Sequence, residues 1–335
     1  MRNTATDGVK ILVTGATGFI GSWLAETLVD DGAEVTVFVL PNDPVRFQSI
    51  KHLTGKVRVV EGDLRNPTSI QEAVNGKDVI FHLAAETQVT RTLANPRGAL
   101  EVNTVGTFNL LEAIRDANKE AFVIYASTDK VYGEPLYLPI DENHQLNPKS
   151  PYEATKLAAE RLLMAYHHTY DLRCSVLRWS NTIGGRDSNY LRIIPGIIYP
   201  LMRRQAPVIR GDGNDVRDYM YVKDVVRSLL SVLANRERAN GRVFNVGTGK
   251  PTSVIDLVNT LLDVLELKGK VAPVILKQDT QAEIRVQYLS AEKISRELGF
   301  SVRYGLEASI RATVNWYRTN PWWESVIERS RTYYS

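Results

Sequence analysis

The chain has 335 residues, of which 44% are hydrophobic and 24% charged, the composition of a globular protein with a substantial core. Its 41 lysines and arginines against 38 aspartates and glutamates leave a formal charge of +3, too small an excess to predict a nucleic-acid partner. The single cysteine, Cys174, excludes an internal disulfide and a multi-thiolate metal site. Because no apolar leader or bilayer-length stretch is present, we expect a cytoplasmic protein with no membrane partner and no metal.

Short β-type runs alternate with helical patterns through the first half of the chain, which is typical of βαβ units. This alternation predicts an α/β fold with a Rossmann-type, doubly wound parallel sheet. Along the chain we predict a strand at Val9–Val13, a helix at Phe19–Val29, strands at Val35–Val39 and Val57–Val60, a helix at Ser69–Val74, a strand at Val79–His82, a helix at Pro96–Asn118, a strand at Phe122–Ala126, a helix at Tyr152–Tyr170 and a strand at Cys174–Trp179.

Beyond Trp179 the pattern is less regular, and only helices are predicted with defined bounds. They lie at Pro195–Met202, Lys223–Leu233, Val254–Leu265, Ala291–Leu298 and Leu306–Trp316.

A glycine-rich turn, Gly15-Ala16-Thr17-Gly18-Phe19-Ile20-Gly21, separates the first predicted strand from the first predicted helix. Gly15 permits the tight turn, Gly18 lets backbone approach a pyrophosphate, and Gly21 lets the helix pack closely on the strand. The helix N-terminus offers unpaired N–H groups to the phosphates. The glycines could serve only a turn, but their place at the head of a βαβ series predicts a dinucleotide site. The predicted contacts in this turn are Gly15, Thr17, Gly18, Phe19, Ile20 and Gly21.

The acidic residue that usually binds the adenosine ribose at the end of the second strand is missing, because Val39-Leu40 occupy its place. Asn42 or Asp43 could reach the ribose from the following loop, whereas Arg46 could meet a 2′-phosphate. We therefore prefer NAD without excluding NADP. Asp63, after the third strand, could read an adenine amino group or could serve a turn or helix cap.

Tyr152 and Lys156 stand four residues apart near the start of a predicted helix, so they share one face. An ammonium beside a phenol lowers the pKa of the phenol, which would make Tyr152 a base towards a substrate hydroxyl. This pair is common by chance. Ser127-Thr128-Asp129-Lys130, at the end of the fifth strand, adds polar groups at the sheet edge where ligands bind.

The motifs of the chain, and the order in which they follow one another, resemble those of the extended short-chain dehydrogenase/reductases that act on nucleotide sugars. The resemblance implies tightly held NAD, a nucleoside-diphosphate hexose substrate and a homodimer formed through two helices of each subunit. At the cofactor it implies Asp63, Leu64, Leu83, Ala84, Ala85, Asn103, Tyr152 and Lys156. The segments that carry it, up to about Tyr317, are the glycine turn, Gly62-Asp63-Leu64, His82-Leu83-Ala84-Ala85, Asn103-Thr104-Val105-Gly106-Thr107, the Ser/Thr–Tyr–Lys set, Arg178-Trp179-Ser180-Asn181, Val216-Arg217-Asp218-Tyr219 and Phe244-Asn245-Val246-Gly247-Thr248-Gly249.

We accordingly expect residues 1–180 and about 219–249 to form the NAD-binding domain. Residues of about 181–218 and 250–320 would form a smaller, interleaved nucleotide-sugar-binding lobe. The tail, residues 321–335, carries paired aromatic residues, which we expect to pack on the chain's own surface rather than bind a partner.

The run Thr128-Asp129-Lys130 indicates the reaction within this family. Sugar 4-epimerases usually have small or hydroxyl residues after the serine, because they only move a hydride. 4,6-Dehydratases also need an acid to expel the C6 hydroxyl and a base to remove the C5 proton. The Thr-Asp-Lys run, and Asn181–Asp187 followed by Ile194-Pro195, are similar to the CDP-glucose 4,6-dehydratases.

By this resemblance, Tyr152 takes the C4 hydroxyl proton as hydride leaves C4, Thr128 bonds the same oxygen, and Lys156 holds the nicotinamide ribose. Lys130 accepts the C5 hydrogen, Asp129 donates to the departing C6 hydroxyl, and hydride returns to C6. Three alternatives stay open: a surface ion pair of Asp129 and Lys130, a nucleotide-sugar 4-epimerase, and a non-catalytic dinucleotide-binding protein.

A nucleoside diphosphate needs cationic and amide donors. Asn181 and Arg217 match the family's phosphate-binding positions, and Arg192 is a further candidate. Thr87, in Glu86-Thr87-Gln88, is a candidate diphosphate or sugar contact, beside a Gln88 that replaces a histidine of the dTDP-glucose enzymes.

Overall fold

The structure is a computed structural model that describes residues 6–41, 47–276 and 284–334. Within these residues, seven parallel strands form the main sheet: β1 Lys10–Thr14, β2 Glu34–Val39, β3 Arg58–Glu61, β4 Val79–His82, β5 Phe122–Thr128, β6 Cys174–Trp179 and β10 Arg242–Val246. Their order across the sheet is β10-β6-β5-β4-β1-β2-β3. The predicted α/β fold with a Rossmann-type, doubly wound sheet is confirmed.

Both faces of this sheet are buried, because successive side chains of each strand point to opposite sides. In β1, Ile11 and Val13 join one apolar cluster with Leu24, whereas Leu12 joins a second cluster with Leu110. The helices of this part are Phe19–Asp30, Pro67–Val74, Val89–Ala94, Pro96–Leu100, Gly106–Ala117, Pro151–Tyr170, Val222–Ala234 and Arg236–Ala239, with 3₁₀ turns at Gln48–Leu53 and Asp129–Tyr132.

The helix predicted over Pro96–Asn118 is not uniform. It is divided into Pro96–Leu100 and Gly106–Ala117 by a π-helical turn at Glu101–Val105. Asn103, in that turn, is 1% exposed and forms hydrogen bonds away from its own helix, so the widened turn accommodates an inward-facing amide.

The second half of the chain adds smaller sheets that sequence periodicity missed, because their strands are very short. β9 (Val216–Tyr221) pairs with β7 (Asn181–Ile183), β11 (Pro251–Ser253) and β13 (Val286–Gln287). Separately, β8 (Val208–Arg210) pairs with β12 (Val274–Leu276). Their helices are Ile193–Met202, Val254–Val264, Glu292–Leu298, Leu306–Thr319 and Trp322–Tyr334.

The C-terminal tail forms a helix that packs on the chain itself. Trp323 is 2% exposed, and its indole N–H donates to the Tyr317 carbonyl at 2.7 Å. Among the described residues, no helix has the length and apolar character needed to cross a membrane.

Candidate active site

The glycine turn has the shape that the sequence predicts. Gly15 has a φ of +73°, and a Cβ there would lie 2.7 Å from the Ala84 nitrogen. A Cβ on Gly21 would lie 2.1 Å from the Gly15 carbonyl oxygen. Gly18 precedes the helix that begins at Phe19 and offers its first N–H groups no side-chain cap. A bare, uncapped helix N-terminus of this kind fits a dinucleotide pyrophosphate.

His82 fixes the end of β4 beside this turn. Its ring nitrogens lie 2.8 Å from Thr14 Oγ1 and 2.9 Å from Thr107 Oγ1, and Thr14 Oγ1 accepts from the Ala84 N–H at 3.2 Å. Burial, reinforced by the charge of Lys156, lowers the pKa of His82 to about 3. A neutral histidine therefore orders the backbone at Leu83–Ala85, the segment predicted to lie at the cofactor.

Asn103 holds together two parts of the site. Its Oδ1 accepts from the Glu86 N–H at 2.7 Å, and its Nδ2 donates to the Glu86 carbonyl and to Thr155 Oγ1, both at 3.0 Å. The amide thus fixes the loop that carries Thr87 against the helix that carries Tyr152. Its predicted contact with the cofactor remains a prediction.

The segment that we predict to lie at the adenosine carries an acid–arginine pair. Asp63 accepts from the Arg65 N–H at 2.9 Å and from its guanidinium, which holds the pKa of the carboxyl below its usual range. The following helix is capped instead by Asn66, which accepts from Thr68 N–H at 3.1 Å. Asp63 therefore takes part in a turn, and the helix-cap alternative is wrong, whereas its contact with an adenine amino group stays a prediction. Leu64 is buried beside it, whereas Asn42, Asp43 and Arg46 lie outside the described residues.

Thr128, Asp129 and Lys130 form a tight turn at the end of β5. Thr128 Oγ1 donates to Asp129 Oδ1 and accepts from the Lys130 N–H, both at 3.2 Å. Asp129 is 3% exposed, and burial raises the pKa of its carboxyl, opposed first by the charge of Lys130. A buried carboxyl of this kind favours the protonated form, which an acid catalyst needs.

Tyr152 stands at the start of the helix Pro151–Tyr170, where Ser150 and Glu153 form a capping box. Tyr152 lies close to Thr128, which favours the charged form of the phenol, so the start of this helix meets the end of β5. Burial raises the pKa of Tyr152 to about 12, although the nearby cation Arg192 opposes this. The pKa of Tyr152 is therefore not lowered in this state, because burial outweighs the neighbouring positive charge of Arg192. An effect of Lys156 on the pKa of Tyr152 stays a prediction.

The pKa of Lys156 is also shifted from its usual value. It is 3% exposed, its ammonium lies 4.3 Å from the centroid of the Tyr125 ring, and burial lowers its pKa to about 7. Glu160, one turn further along the helix, opposes this shift. Glu160 pairs with Arg178 and accepts from Ser127 Oγ at 2.8 Å. Glu160 was not predicted as a site residue, although its spacing of four from Lys156 could have indicated it.

Gln287, on β13, is a second residue that the sequence analysis missed. It is 0% exposed, accepts a hydrogen bond from Lys130 Nζ and donates to the Asp129 carbonyl at 3.0 Å. No periodic signal could have found it, because β13 has only two residues.

The candidate substrate residues lie on several elements. Arg192 donates to Thr87 Oγ1 at 3.2 Å, pairs with Asp187 at 3.4 Å, and its charge acts on Tyr152. Arg217, on β9, donates to the Val216 carbonyl at 2.9 Å, and its charge acts on Asp129.

Asn181 and Gln88 also belong to the candidate substrate side of the site. Asn181, on β7, lies opposite Tyr219 in the strand pair with β9. Gln88 Oε1 is buried, and in the part of the chain that the structure describes it has no hydrogen-bond partner.

Comparison with known proteins defines the class. Residues 12–313 match the model of the GDP-mannose 4,6 dehydratase family. A dTDP-glucose 4,6-dehydratase of Streptomyces griseus is 34% identical over 325 residues, which cover 95% of this chain and 97% of that protein.

Two solved structures are similar in fold and length. DesIV, a dTDP-glucose 4,6-dehydratase of Streptomyces venezuelae with NAD bound, has a TM-score of 0.85 at 30% identity, covering 94% of this chain and 99% of its own. A UDP-glucose 4-epimerase of Thermotoga maritima has a TM-score of 0.85 at 29% identity, covering 93% of this chain and 99% of its own.

The fold and site thus define an NAD-dependent enzyme of the short-chain dehydrogenase/reductase type. More particularly, the chain belongs to the nucleotide-sugar epimerase and dehydratase family, as the sequence motifs predicted. NAD, predicted as the cofactor, agrees with these relatives.

Proposed function

We propose that the protein is an NAD-dependent nucleotide-sugar 4,6-dehydratase, which converts a nucleoside-diphosphate hexose to the 4-keto-6-deoxy sugar, with CDP-glucose favoured. The observation that carries this proposal is the carboxyl of Asp129. It is buried, its pKa is raised, and it shares Thr128 with Tyr152. An epimerase has no proton to deliver at C6, whereas a dehydratase requires an acid there.

At the C4 end, Tyr152 and Thr128 meet the sugar hydroxyl. Tyr152 accepts its proton, and Thr128 fixes its oxygen. NAD, when bound on the glycine turn, supplies the hydride acceptor for C4 and the hydride donor for C6. Arg192 favours the charged form of Tyr152, and Lys156 binds the nicotinamide ribose.

At C5 and C6, the Asp129–Lys130 turn performs the elimination. Lys130 accepts the C5 proton, the C6–oxygen bond breaks, and Asp129 donates the proton with which the hydroxyl leaves as water. The electron pair of the C5–H bond forms the C5–C6 double bond. When hydride returns to C6, the proton held by Lys130 returns to C5, so no external oxidant or reductant is consumed.

On the nucleotide side, Arg192, Arg217, Asn181 and Thr87 bind the diphosphate and sugar. The preference for CDP rests on the Thr-Asp-Lys run and on the segment Asn181–Asp187 with Ile194-Pro195.

We also propose a cytoplasmic homodimer. Its interface is an apolar surface on the stretch between Val89 and Ala117, where Leu93, Leu100, Val105 and Phe108 are 40–58% exposed. Phe108 packs edge-on to Tyr166 of the Tyr152 helix at 6.4 Å, so two helices of each subunit share this surface.

A nucleotide-sugar 4-epimerase is the second candidate, favoured by the equal TM-score of the Thermotoga maritima enzyme. Incubation with CDP-, dTDP-, UDP- and GDP-glucose, followed by mass spectrometry, separates the two reactions. We expect loss of one water from CDP-glucose, and transfer of deuterium from C4 to C6. Retention of the substrate mass, with deuterium returned to C4, would establish the epimerase instead.

A further inference from the structure

Gln287, on β13, forms hydrogen bonds with both residues of the proposed elimination, Asp129 and Lys130. Its side-chain Oε1 accepts from Lys130 Nζ, and its Nε2 donates to the Asp129 carbonyl at 3.0 Å. Gln287 is 0% exposed. Its two contacts fall on consecutive residues of one turn, so the amide can satisfy both only in one orientation.

We propose that Gln287 is a positioning residue for the elimination step, which holds the Lys130 amine at C5 and the Asp129 backbone at C6. This role rests on the proposed dehydratase function. Lysine has a flexible four-carbon stem, so an amine that must meet one carbon–hydrogen bond requires an anchor. Gln287 supplies that anchor from outside the turn and acts through Lys130 and Asp129 rather than on the sugar itself.

The strand that carries Gln287 also connects the anchor to the nucleotide side. β13 pairs in parallel with β9, and Gln287 lies opposite Arg217 in that pairing. Arg217 is the proposed diphosphate contact, and its charge acts on Asp129. The proposed diphosphate contact on β9 and the anchor of Lys130 on β13 therefore lie side by side on paired strands. This pairing fixes the position of Lys130 relative to a bound nucleotide sugar.

The contacts of Gln287 involve the residues proposed for the elimination at C5 and C6, and not those proposed for oxidation at C4. Tyr152 lies close to Thr128, whereas Gln287 contacts Asp129 and Lys130. Loss of the Gln287 amide should consequently impair C5 deprotonation and spare C4 oxidation.

The test uses the full-length protein with NAD and CDP-glucose, unlabelled or deuterated at C5. In Gln287→Leu, we expect kcat for water loss to fall on the order of 100-fold, since a displacement of about 1 Å at a reacting group has an effect of that size. The isotope effect of C5 deuterium on kcat should rise, because proton removal becomes rate-limiting. The matched control is Val286→Ala, a half-buried neighbour on the same strand, which should keep both values.

Gln287→Glu gives a second, independent readout. A carboxylate against the Lys130 ammonium favours its charged form, so the rise of kcat with pH should move to higher pH than in the wild type. The other charges at this turn, Asp129, Arg217 and Glu153, are the same in both proteins. Circular dichroism and thermal unfolding establish that each variant is folded.

The outcomes distinguish this role from the proposed function. If the wild type loses water and Gln287→Leu keeps its kcat, or loses kcat with no change in the isotope effect, the positioning role is wrong and the dehydratase stands. If the wild type loses no water and returns C4 deuterium to C4, the proposed function is wrong, and the role falls with it.

Discussion

Glu160 and Arg178 form an ion pair almost completely removed from water, with 1% and 5% of their side chains exposed. Glu160 also accepts from Ser127 Oγ at 2.8 Å, and Arg178 donates to the Tyr132 hydroxyl at 2.7 Å. Ser127 and Tyr132 flank the turn that carries Thr128, Asp129 and Lys130. The ion pair therefore fixes both ends of this turn.

We expect Glu160→Gln to lower the free energy of unfolding by about 3–5 kcal/mol, since it leaves a buried guanidinium without its counter-charge. Urea unfolding measures this change. The control is Glu307→Gln, in an exposed pair with Arg311 on the helix Leu306–Thr319, which should leave the unfolding midpoint unaltered. Equal effects of the two substitutions would contradict a dominant role for burial.

Asp129→Asn should abolish most water loss while sparing oxidation at C4. The amide has nearly the shape of the carboxyl but cannot donate an acid proton, so kcat for dehydration should fall by about 10²- to 10⁴-fold. Product mass and the fate of C4 deuterium measure the two steps separately. Asp263→Asn, at an exposed surface pair with Lys268, is the matched control. Undiminished water loss in Asp129→Asn would show that the acid is another group.

His82 gives the protein a specific acid sensitivity. Its folded-state pKa is lowered from 6.5 to about 3, so between these values the unfolded chain binds a proton that the folded chain does not. The contribution of neutral His82 to the free energy of unfolding is fully present above pH 6.5 and is lost as the pH falls towards 3. At about pH 5 the loss is about 2 kcal/mol. His82→Gln should therefore lose less stability than the wild type between about pH 7.5 and pH 5. Parallel pH curves for the two proteins would refute this.

Gly21→Ala should disturb the dinucleotide turn, because its Cβ would lie 2.1 Å from the Gly15 carbonyl oxygen. We expect a destabilisation of about 1–3 kcal/mol from this overlap and weaker NAD binding by calorimetry. Gly305→Ala is the matched control, since nothing lies within 4 Å of its Cβ. If both variants bind NAD like the wild type, the close approach at Gly21 is not needed.

Phe108→Glu should convert the proposed dimer to a monomer, because it places a charge in the apolar surface that includes Leu93 and Leu100. Light scattering with size-exclusion chromatography gives the mass. Leu136→Glu, at an equally apolar but separate position that is 76% exposed, should leave the mass unchanged. A wild type that is monomeric at micromolar concentration would disprove the proposed dimer.

Local patterns in the sequence predicted the parts of the site that depend on local geometry. The glycine turn and the Tyr152 helix are of this kind, as each is specified by a few adjacent residues. Gln287 and the raised pKa of Tyr152 could not be predicted, because one depends on a contact between distant segments and the other on burial. The alternation of apolar residues located the main sheet, whereas the two-residue β13 is too short to show any period.

The path of the chain has a consequence for recombination between relatives. After β6, the chain forms β7, β8 and β9 outside the main sheet, and β10 then returns to pair with β6 at the edge of that sheet. A chimera joined at one crossover after Trp179 would consequently give β6 a foreign edge strand together with the segments proposed to bind the sugar. Because β11 and β13 follow β10 in the chain and pair with β9, exchanging those segments between two members of this family requires two grafts, one between β6 and β10 and one after β10, which keep β6 and β10 from the same parent.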